Sequence, residues 1–261
     1  MPATFSSVRG QVGLNSALRG AGYFAPASRE ADEYRALRHV VERRRRDSGQ
    51  QVFAITSPGA SEGKTITTLN LAGSLAQSPD ARVLVIDADL HRPSVAHCLG
   101  LDRLRSRGLA EAVLDDDHVL SHAVRRLVPL NISVLLPGAI DAGPYEVLTS
   151  PRFEELLAEA RRQYDYVLID TPPVVPLADS RLLARFVDGY IVVVAAHRTT
   201  KKSVADAVDL IDAAKLVAVV FNGEDRPLSS NYGYYGVAAH GVHRRPDPGR
   251  SRWWWQRLLR P

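Results

Sequence analysis

Six short runs of β-branched and aliphatic residues recur along this chain, and several are apolar throughout rather than at alternate positions. They are Val52–Ser57, Arg82–Asp87, Ile132–Leu136, Tyr166–Asp170, Tyr190–Ala195 and Val217–Asn222. A strand with one face in water alternates apolar and polar residues. One buried on both faces does not, so these runs belong in a parallel sheet covered on both sides. Helical patterns fall between them at Lys64–Gln77, Arg152–Gln163 and Lys201–Ala214. The second is well punctuated: Ser150 can cap it, Pro151 suits its first turn, and Phe153, Leu156, Leu157 and Ala160 form one apolar face. Strand–helix repetition of this kind implies an α/β fold, a doubly wound, mostly parallel sheet with helices on both faces.

The two ends read differently from the body. Residues 1–30 are rich in Gly, Ser and Ala with little periodicity, which predicts a flexible arm. Residues 31–46 predict a helix running into the basic stretch Arg43–Arg46. After Asn222, Gly, Ser, Tyr, Pro and Arg displace the periodic pattern. The expected organisation is therefore an arm over 1–30, one domain over 31–223, and a flexible basic tail over 224–261.

Charge follows the same division. There are 9 basic and 5 acidic residues over 1–50, 17 and 21 over 51–223, and 7 and 3 over 224–261. A nucleic-acid binder spreads basic charge over its folded body, so nucleic acid is not an expected partner of this mildly acidic one. The longest apolar runs, such as Tyr190–Ala196, fall far short of the roughly 20 residues that span a bilayer. No secretory apolar region occurs in the first thirty residues. The single cysteine, Cys98, excludes an intramolecular disulfide framework and suits a reducing compartment. A soluble, cytoplasmic protein is the expectation.

The strongest chemical signal is Thr56-Ser57-Pro58-Gly59-Ala60-Ser61-Glu62-Gly63-Lys64-Thr65, between a strand and a helix. In that setting the backbone from Gly59 and Ala60 through Ser61, Glu62 and Gly63, with Lys64, Thr65 and Ile66 opening the helix, makes a phosphate loop. Its N–H groups surround an anion, the lysine reaches the β- and γ-phosphates, and the threonine hydroxyl meets Mg²⁺. Pro58 stands where the general pattern has its first glycine. Two further strands end in acids: Asp87 and Asp89, followed by Arg92-Pro93, and Asp170 before Thr171-Pro172-Pro173. Ligands of open α/β sheets bind at the carboxyl ends of the strands, so three carboxylates converge on the loop. One can fix Mg²⁺ or its waters while another accepts the proton of an attacking hydroxyl. Arg92 offers further positive charge or a surface ion pair.

With the second acidic strand in place, the chain resembles the bacterial tyrosine kinases (BY-kinases), the autokinases of capsule and exopolysaccharide synthesis. The similarity covers roughly Asp32 to Gly236. Ser57-Pro58 with Glu62-Gly63-Lys64-Thr65 resembles their Walker A, Val85-Ile86-Asp87-Ala88-Asp89-Leu90-His91-Arg92-Pro93 their Walker A′, and Leu168-Ile169-Asp170-Thr171-Pro172-Pro173 their Walker B. Between the last two, Leu136-Pro137-Gly138 followed by Pro144-Tyr145-Glu146-Val147-Leu148 resembles the family's Pro-x-Glu-Leu-Leu connection.

The resemblance implies a P-loop fold and transfer of phosphate from ATP, with Mg²⁺, to C-terminal tyrosines of neighbouring subunits. It makes Asp87 the base candidate and puts Asp89 and Asp170 on the metal side. Thr65, Asp87 and Asp170 are the candidate metal ligands, and Asn222 stands where relatives recognise adenine. It also implies a homo-oligomer, with a ring as one form, and a membrane-embedded polysaccharide co-polymerase that activates the kinase at the inner face of the membrane. Asp32-Glu33-Tyr34-Arg35-Ala36-Leu37-Arg38 is similar to the family's oligomerisation helix, with Asp32 where glutamate is usual; Asp32, Arg35 and Arg38 are its candidate contacts.

Tyr232, Tyr234 and Tyr235 are the candidate acceptors, set among Gly, Ser and Asn. Beyond them Arg252-Trp253-Trp254-Trp255-Gln256-Arg257-Leu258-Leu259-Arg260 suits an anionic membrane interface, a partner, or a segment folded back on the body. Two rival functions share the fold: a partitioning or site-placing ATPase, and a catalytically silent nucleotide-binding regulatory subunit. The partitioning relatives usually carry a lysine near the start of the loop; Pro58-Gly59-Ala60 has none.

Overall fold

The structure is a computed structural model and describes residues 11–13, 29–101, 107–115, 120–128, 130–139, 143–177 and 179–223. Among the described residues, eight strands form one sheet: β1 (Gln11–Gly13), β2 (Val52–Thr56), β3 (Val83–Asp87), β4 (Arg125–Val128), β5 (Ile132–Leu135), β6 (Tyr166–Asp170), β7 (Gly189–Ala195) and β8 (Leu216–Asn222). Their order is β1-β4-β5-β3-β6-β2-β7-β8. Every pairing is parallel except β4 with β5.

The helices are α1 (Arg29–Ser48), α2 (Lys64–Leu75), α3 (Val95–Cys98), α4 (Leu109–Leu114), α5 (Leu120–Ala123), α6 (Pro144–Thr149), α7 (Pro151–Gln163), α8 (Asp179–Leu182) and α9 (Lys201–Asp209). The central strands are buried at every position, and successive residues serve opposite cores. Ala54, Leu84, Ile86, Val167 and Ile169 meet Phe153, Leu156 and Leu157 of α7 on one face. Phe53, Ile55, Val83, Val85 and Leu168 meet Leu37 and Val41 of α1 and Leu69 and Leu75 of α2 on the other. Both faces are apolar because both are covered, as the unbroken runs predict.

Polar anchors hold the sheet where its strands begin. Arg161 donates twice to Asp188, at 2.8 Å each, and Asp188 Oδ2 also accepts the N–H groups of Gln51 and Val52 at 2.7 and 2.8 Å. Burial pushes the Asp188 pKa up, but the Arg161 and backbone bonds outweigh it and hold the carboxyl below its ordinary range. Asp165 plays the same part at the starts of β3 and β6, accepting from Arg82 and Arg45.

Four expectations are corrected. The helix read as Lys201–Ala214 ends at Asp209, because Asp212 accepts the Ala214 N–H at 2.9 Å and starts a separate 3₁₀ turn over Ala213–Lys215. The helix read as Lys64–Gln77 ends at Leu75. Within the stretch read as a flexible arm, Gln11–Gly13 forms edge strand β1, and the helix read as 31–46 extends over Arg29–Ser48. The remainder of residues 1–28, and all of 224–261, lie outside the described residues.

Candidate active site

Strand β2 ends at Thr56 and α2 begins at Lys64, so residues 57–63 turn the chain at the carboxyl edge of the sheet. The turn is braced from several directions. Ser57 Oγ donates to the Gly59 carbonyl at 2.5 Å, and Asn222 Nδ2 at the end of β8 donates to the Glu62 carbonyl at 3.0 Å. Thr199 Oγ1 donates to Glu62 Oε1 at 2.8 Å, and Arg198 donates to the Ser61 carbonyl at 3.4 Å. Gly63 has φ +96°, and a Cβ there would lie 1.9 Å from Asn222 Nδ2. Torsion and space both demand glycine. Burial raises the Glu62 pKa against the opposing pull of Thr199, the Gly59 N–H and Lys64.

Strands β3 and β6 are parallel neighbours, and Asp87 and Asp170 are register partners at their ends. Both carboxyls are fully buried. Thr65 Oγ1 donates to Asp170 Oδ2 at 2.5 Å, whereas the buried Asp170 Oδ1 has no hydrogen-bond partner. Burial raises the Asp170 pKa to about 7, although the Thr65 bond and the Lys64 charge pull it down. Asp87 is also pushed well above the ordinary carboxylate range, by burial and then by the Asp170 charge. Its Oδ2 accepts the Ser94 and Val95 N–H groups at 3.1 and 3.0 Å, and its Oδ1 accepts the Asp89 N–H at 3.3 Å. Two adjacent carboxyls raised in this way form a site that gains from a bound cation or a transferred proton.

Lys64, Thr65, Asp87, Asp89 and Asp170 thus lie together, as read from the sequence. Lys64 and Asp89 are 7% and 8% exposed. Gly59, Ala60, Ser61, Glu62 and Gly63 make the turn, and Ile66 is half-buried in the first turn of α2. Arg92 is exposed, and its backbone N–H donates to Asp89 Oδ1 at 3.1 Å. Asn222 lies against the phosphate loop rather than apart from it. In α1, Arg35 pairs with Asp32, while Arg38 turns inward to the Ser74 carbonyl at 2.7 Å and Ser78 Oγ at 2.6 Å. Tyr232, Tyr234, Tyr235 and the Arg252–Arg260 segment lie outside the described residues.

Sequence reasoning missed Ser94, whose hydroxyl is 2.7 Å from Thr65 Oγ1, and the brace made by Thr199. It also missed the contact of His91 Nε2 with Asp179 Oδ2 at 2.6 Å, which ties the loop after β3 to α8. None has a local pattern that marks it. Each partner is distant in sequence.

The donors fit Mg²⁺. A hydroxyl at Thr65, an unpartnered buried oxygen on Asp170 and a neighbouring carboxylate are hard oxygen ligands. Among the described residues no three His, Cys, Asp or Glu side chains form a ready-made cage. That suits an ion that takes one or two carboxylates and completes its shell with water and phosphate oxygens. An open cavity of about 710 Å³ lined by Glu42, Arg45, Arg46, Gly49, Gln51 and Tyr166 lies where β2 and β6 begin, at the opposite end of the sheet. It takes no part in this arrangement.

Comparison with known proteins agrees with the geometry. The family model described as "AAA domain" matches residues 51–218. The chain is 34% identical over 214 residues to the tyrosine-protein kinase YwqD of Bacillus subtilis, covering 81% of this chain and 89% of that protein. It is 29% identical over 211 residues to the tyrosine-protein kinase etk of Escherichia coli, covering 80% of this chain and 28% of that longer protein. The solved kinase domain of Escherichia coli ETK superposes with a TM-score of 0.72 at 25% identity, covering 87% of this chain and 95% of that domain. A P-loop sheet that brings Lys64 and Thr65 together with the register partners Asp87 and Asp170, with these relatives, establishes that the chain belongs to the bacterial tyrosine kinases.

Proposed function

We propose that this tyrosine kinase uses Mg·ATP to phosphorylate Tyr232, Tyr234 and Tyr235 on a neighbouring copy of itself, and so regulates capsular or exopolysaccharide polymerisation and export. The observation that carries the reading is the pairing of Asp87 with Asp170 beside Thr65 and Lys64. Phosphoryl transfer depends on positioning and charge neutralisation more than on covalent help. The loop N–H groups and Lys64 hold the phosphates, and Thr65 with Asp170 would hold Mg²⁺, which supplies charge neutralisation at the phosphate oxygens.

Asp87 is the proposed base. Its Oδ2 is committed to two backbone donors, so Oδ1, with one long bond, is the oxygen with acceptor capacity left for a tyrosine proton. A raised pKa suits that task. The tyrosine oxygen forms the new bond to the γ-phosphorus, the bond to the bridging oxygen breaks, ADP leaves, and Asp87 takes the proton. Asp89 would share the metal side, and Arg92 would add positive charge at the rim.

Activation by a membrane-embedded polysaccharide co-polymerase, at the inner face of the membrane, completes the reading. No helix among the described residues is long and apolar enough to cross a membrane. The Trp253–Trp255 segment with Arg252, Arg257 and Arg260 supplies a further contact for anionic headgroups.

A mixing experiment tests the proposal. Lys64→Ala alone should lose tyrosine phosphorylation by ~10²–10³, the usual cost of removing a charge that stabilises the transition state. Lys64→Ala chains that retain all tyrosines are then mixed with active chains lacking Tyr232, Tyr234 and Tyr235, with ATP, Mg²⁺ and the co-expressed partner. Label on the Lys64→Ala chain is the expected result. No label there would overturn transfer between subunits, and no phosphotyrosine on the wild type would favour the silent or partitioning alternatives.

A further inference from the structure

Ser94 stands at the N-cap of α3, a position where serine normally turns its hydroxyl onto its own helix. Here it makes no such bond. Asp87 does the capping from the end of β3, through Oδ2 and the N–H groups of Ser94 and Val95. The Ser94 hydroxyl is released from that duty and lies 2.7 Å from Thr65 Oγ1.

Counting protons gives the direction of this bond. Thr65 has one hydroxyl proton and directs it to Asp170 Oδ2 at 2.5 Å. With that proton committed to Asp170, the bond to Ser94 uses the serine's proton, and Ser94 is the donor to Thr65. One of the two threonine lone pairs is occupied by Ser94, and the hydrogen is held by Asp170. The second lone pair is thereby given a single direction.

We propose that Ser94 is a positioning residue for phosphoryl transfer, its hydroxyl aiming the free lone pair of Thr65 at the cation and its backbone N–H holding Asp87. This rests on the kinase reading of the loop. Outer partners of metal ligands act by fixing ligand orientation, and their loss weakens metal binding more than it disturbs the fold. Ser94 differs from an ordinary outer partner in touching both sides of the site. Its hydroxyl serves the metal-binding threonine, and its main chain serves the proposed base.

The two roles are separable by mutation. Ser94→Ala removes the hydroxyl but keeps the N–H to Asp87, and Ser94→Thr keeps both. Binding of a fluorescent ADP analogue to the full chain is titrated with Mg²⁺ and repeated in EDTA. In Ser94→Ala the Mg²⁺ concentration for half-maximal binding should rise about tenfold while affinity in EDTA changes less than about twofold, and Ser94→Thr should restore the wild-type midpoint. An unchanged midpoint in Ser94→Ala would overturn the role, as would an equal loss in EDTA or a failure of Ser94→Thr to rescue. The wild-type titration separates the two layers. Mg²⁺ dependence there with no Ser94 effect rejects only the positioning role, whereas no Mg²⁺ dependence rejects the site reading as well.

Discussion

At the scale of single residues, the site is defined by carboxyls kept where water cannot screen them. Asp87 and Asp170 are fully buried neighbours, and each has a folded pKa above its unfolded value. The folded state therefore binds these protons more tightly than the unfolded state does. Stability of the nucleotide-free chain should fall as pH rises from the ordinary carboxylate range near ~4 toward the raised folded value of Asp170, about 7. Asp170→Asn should shrink this slope and raise the melting temperature at mildly alkaline pH, while abolishing Mg²⁺-dependent nucleotide binding. Melting curves between about pH 5 and pH 8 check it. A lower melting temperature for the variant at the alkaline end would show that the Thr65 bond outweighs the burial of charge.

Among the elements, α1 shows how one side chain can join a helix to the body. Arg38 reaches across to the last turn of α2 and the segment just after it, donating to the Ser74 carbonyl and Ser78 Oγ, and is braced by Glu42 at 2.6 Å. Leu37 and Val41 enter the core beside it. Arg35, three residues earlier, pairs with Asp32 on a more exposed part of the helix. The family-like segment is therefore divided between intramolecular docking and an exposed pair. Arg38→Ala should cost about 1–3 kcal/mol through loss of charge-assisted hydrogen bonds in a half-buried setting. Arg35→Ala should cost no more than about 1 kcal/mol, as for an exposed ion pair. Denaturant unfolding of the two variants measures the difference. Equal costs would mean that Arg38 contributes no docking energy of its own.

At the scale of the whole molecule, Asp87 and Asp170 meet at the carboxyl edge of a body with net negative charge, while the two ends of the chain are net positive. On the proposed reading, unmodified tyrosines enter a neighbour's site as neutral groups. Each phosphate adds about −1.5 to −2 charges at neutral pH, close to Asp87, Asp89 and Asp170, and the modified tail is repelled. Phosphorylation should thus loosen the assembly. Light scattering on phosphorylated and phosphatase-treated protein at matched concentration decides this. A phosphorylated form that is equally or more oligomeric would show that the arginines from Arg244 to Arg260 capture the new phosphates.

The sheet was legible in the sequence because strands buried on both faces must be apolar at every position, and the central strands are. The phosphate loop was legible because its glycines, lysine and threonine act through local backbone geometry. Strands β1 and β4 carried no such mark. Both are short; β1 is the edge strand and β4 its neighbour, and β4 has a single buried residue, Leu127, after two arginines, so its pairing and not its composition makes it a strand. The end of α9 turned on a local competitor, the side chain of Asp212. What only the tertiary structure decided is adjacency across the chain. Strand order places Asp87 beside Asp170, and folding brings Thr199 and Asn222 to Glu62 across 137 and 160 residues. Ser94 meets Thr65 in the same way. Periodicity encodes which face of an element is buried, but hydrogen bonds between side chains on different elements depend on distances that exist only once the sheet has closed its order.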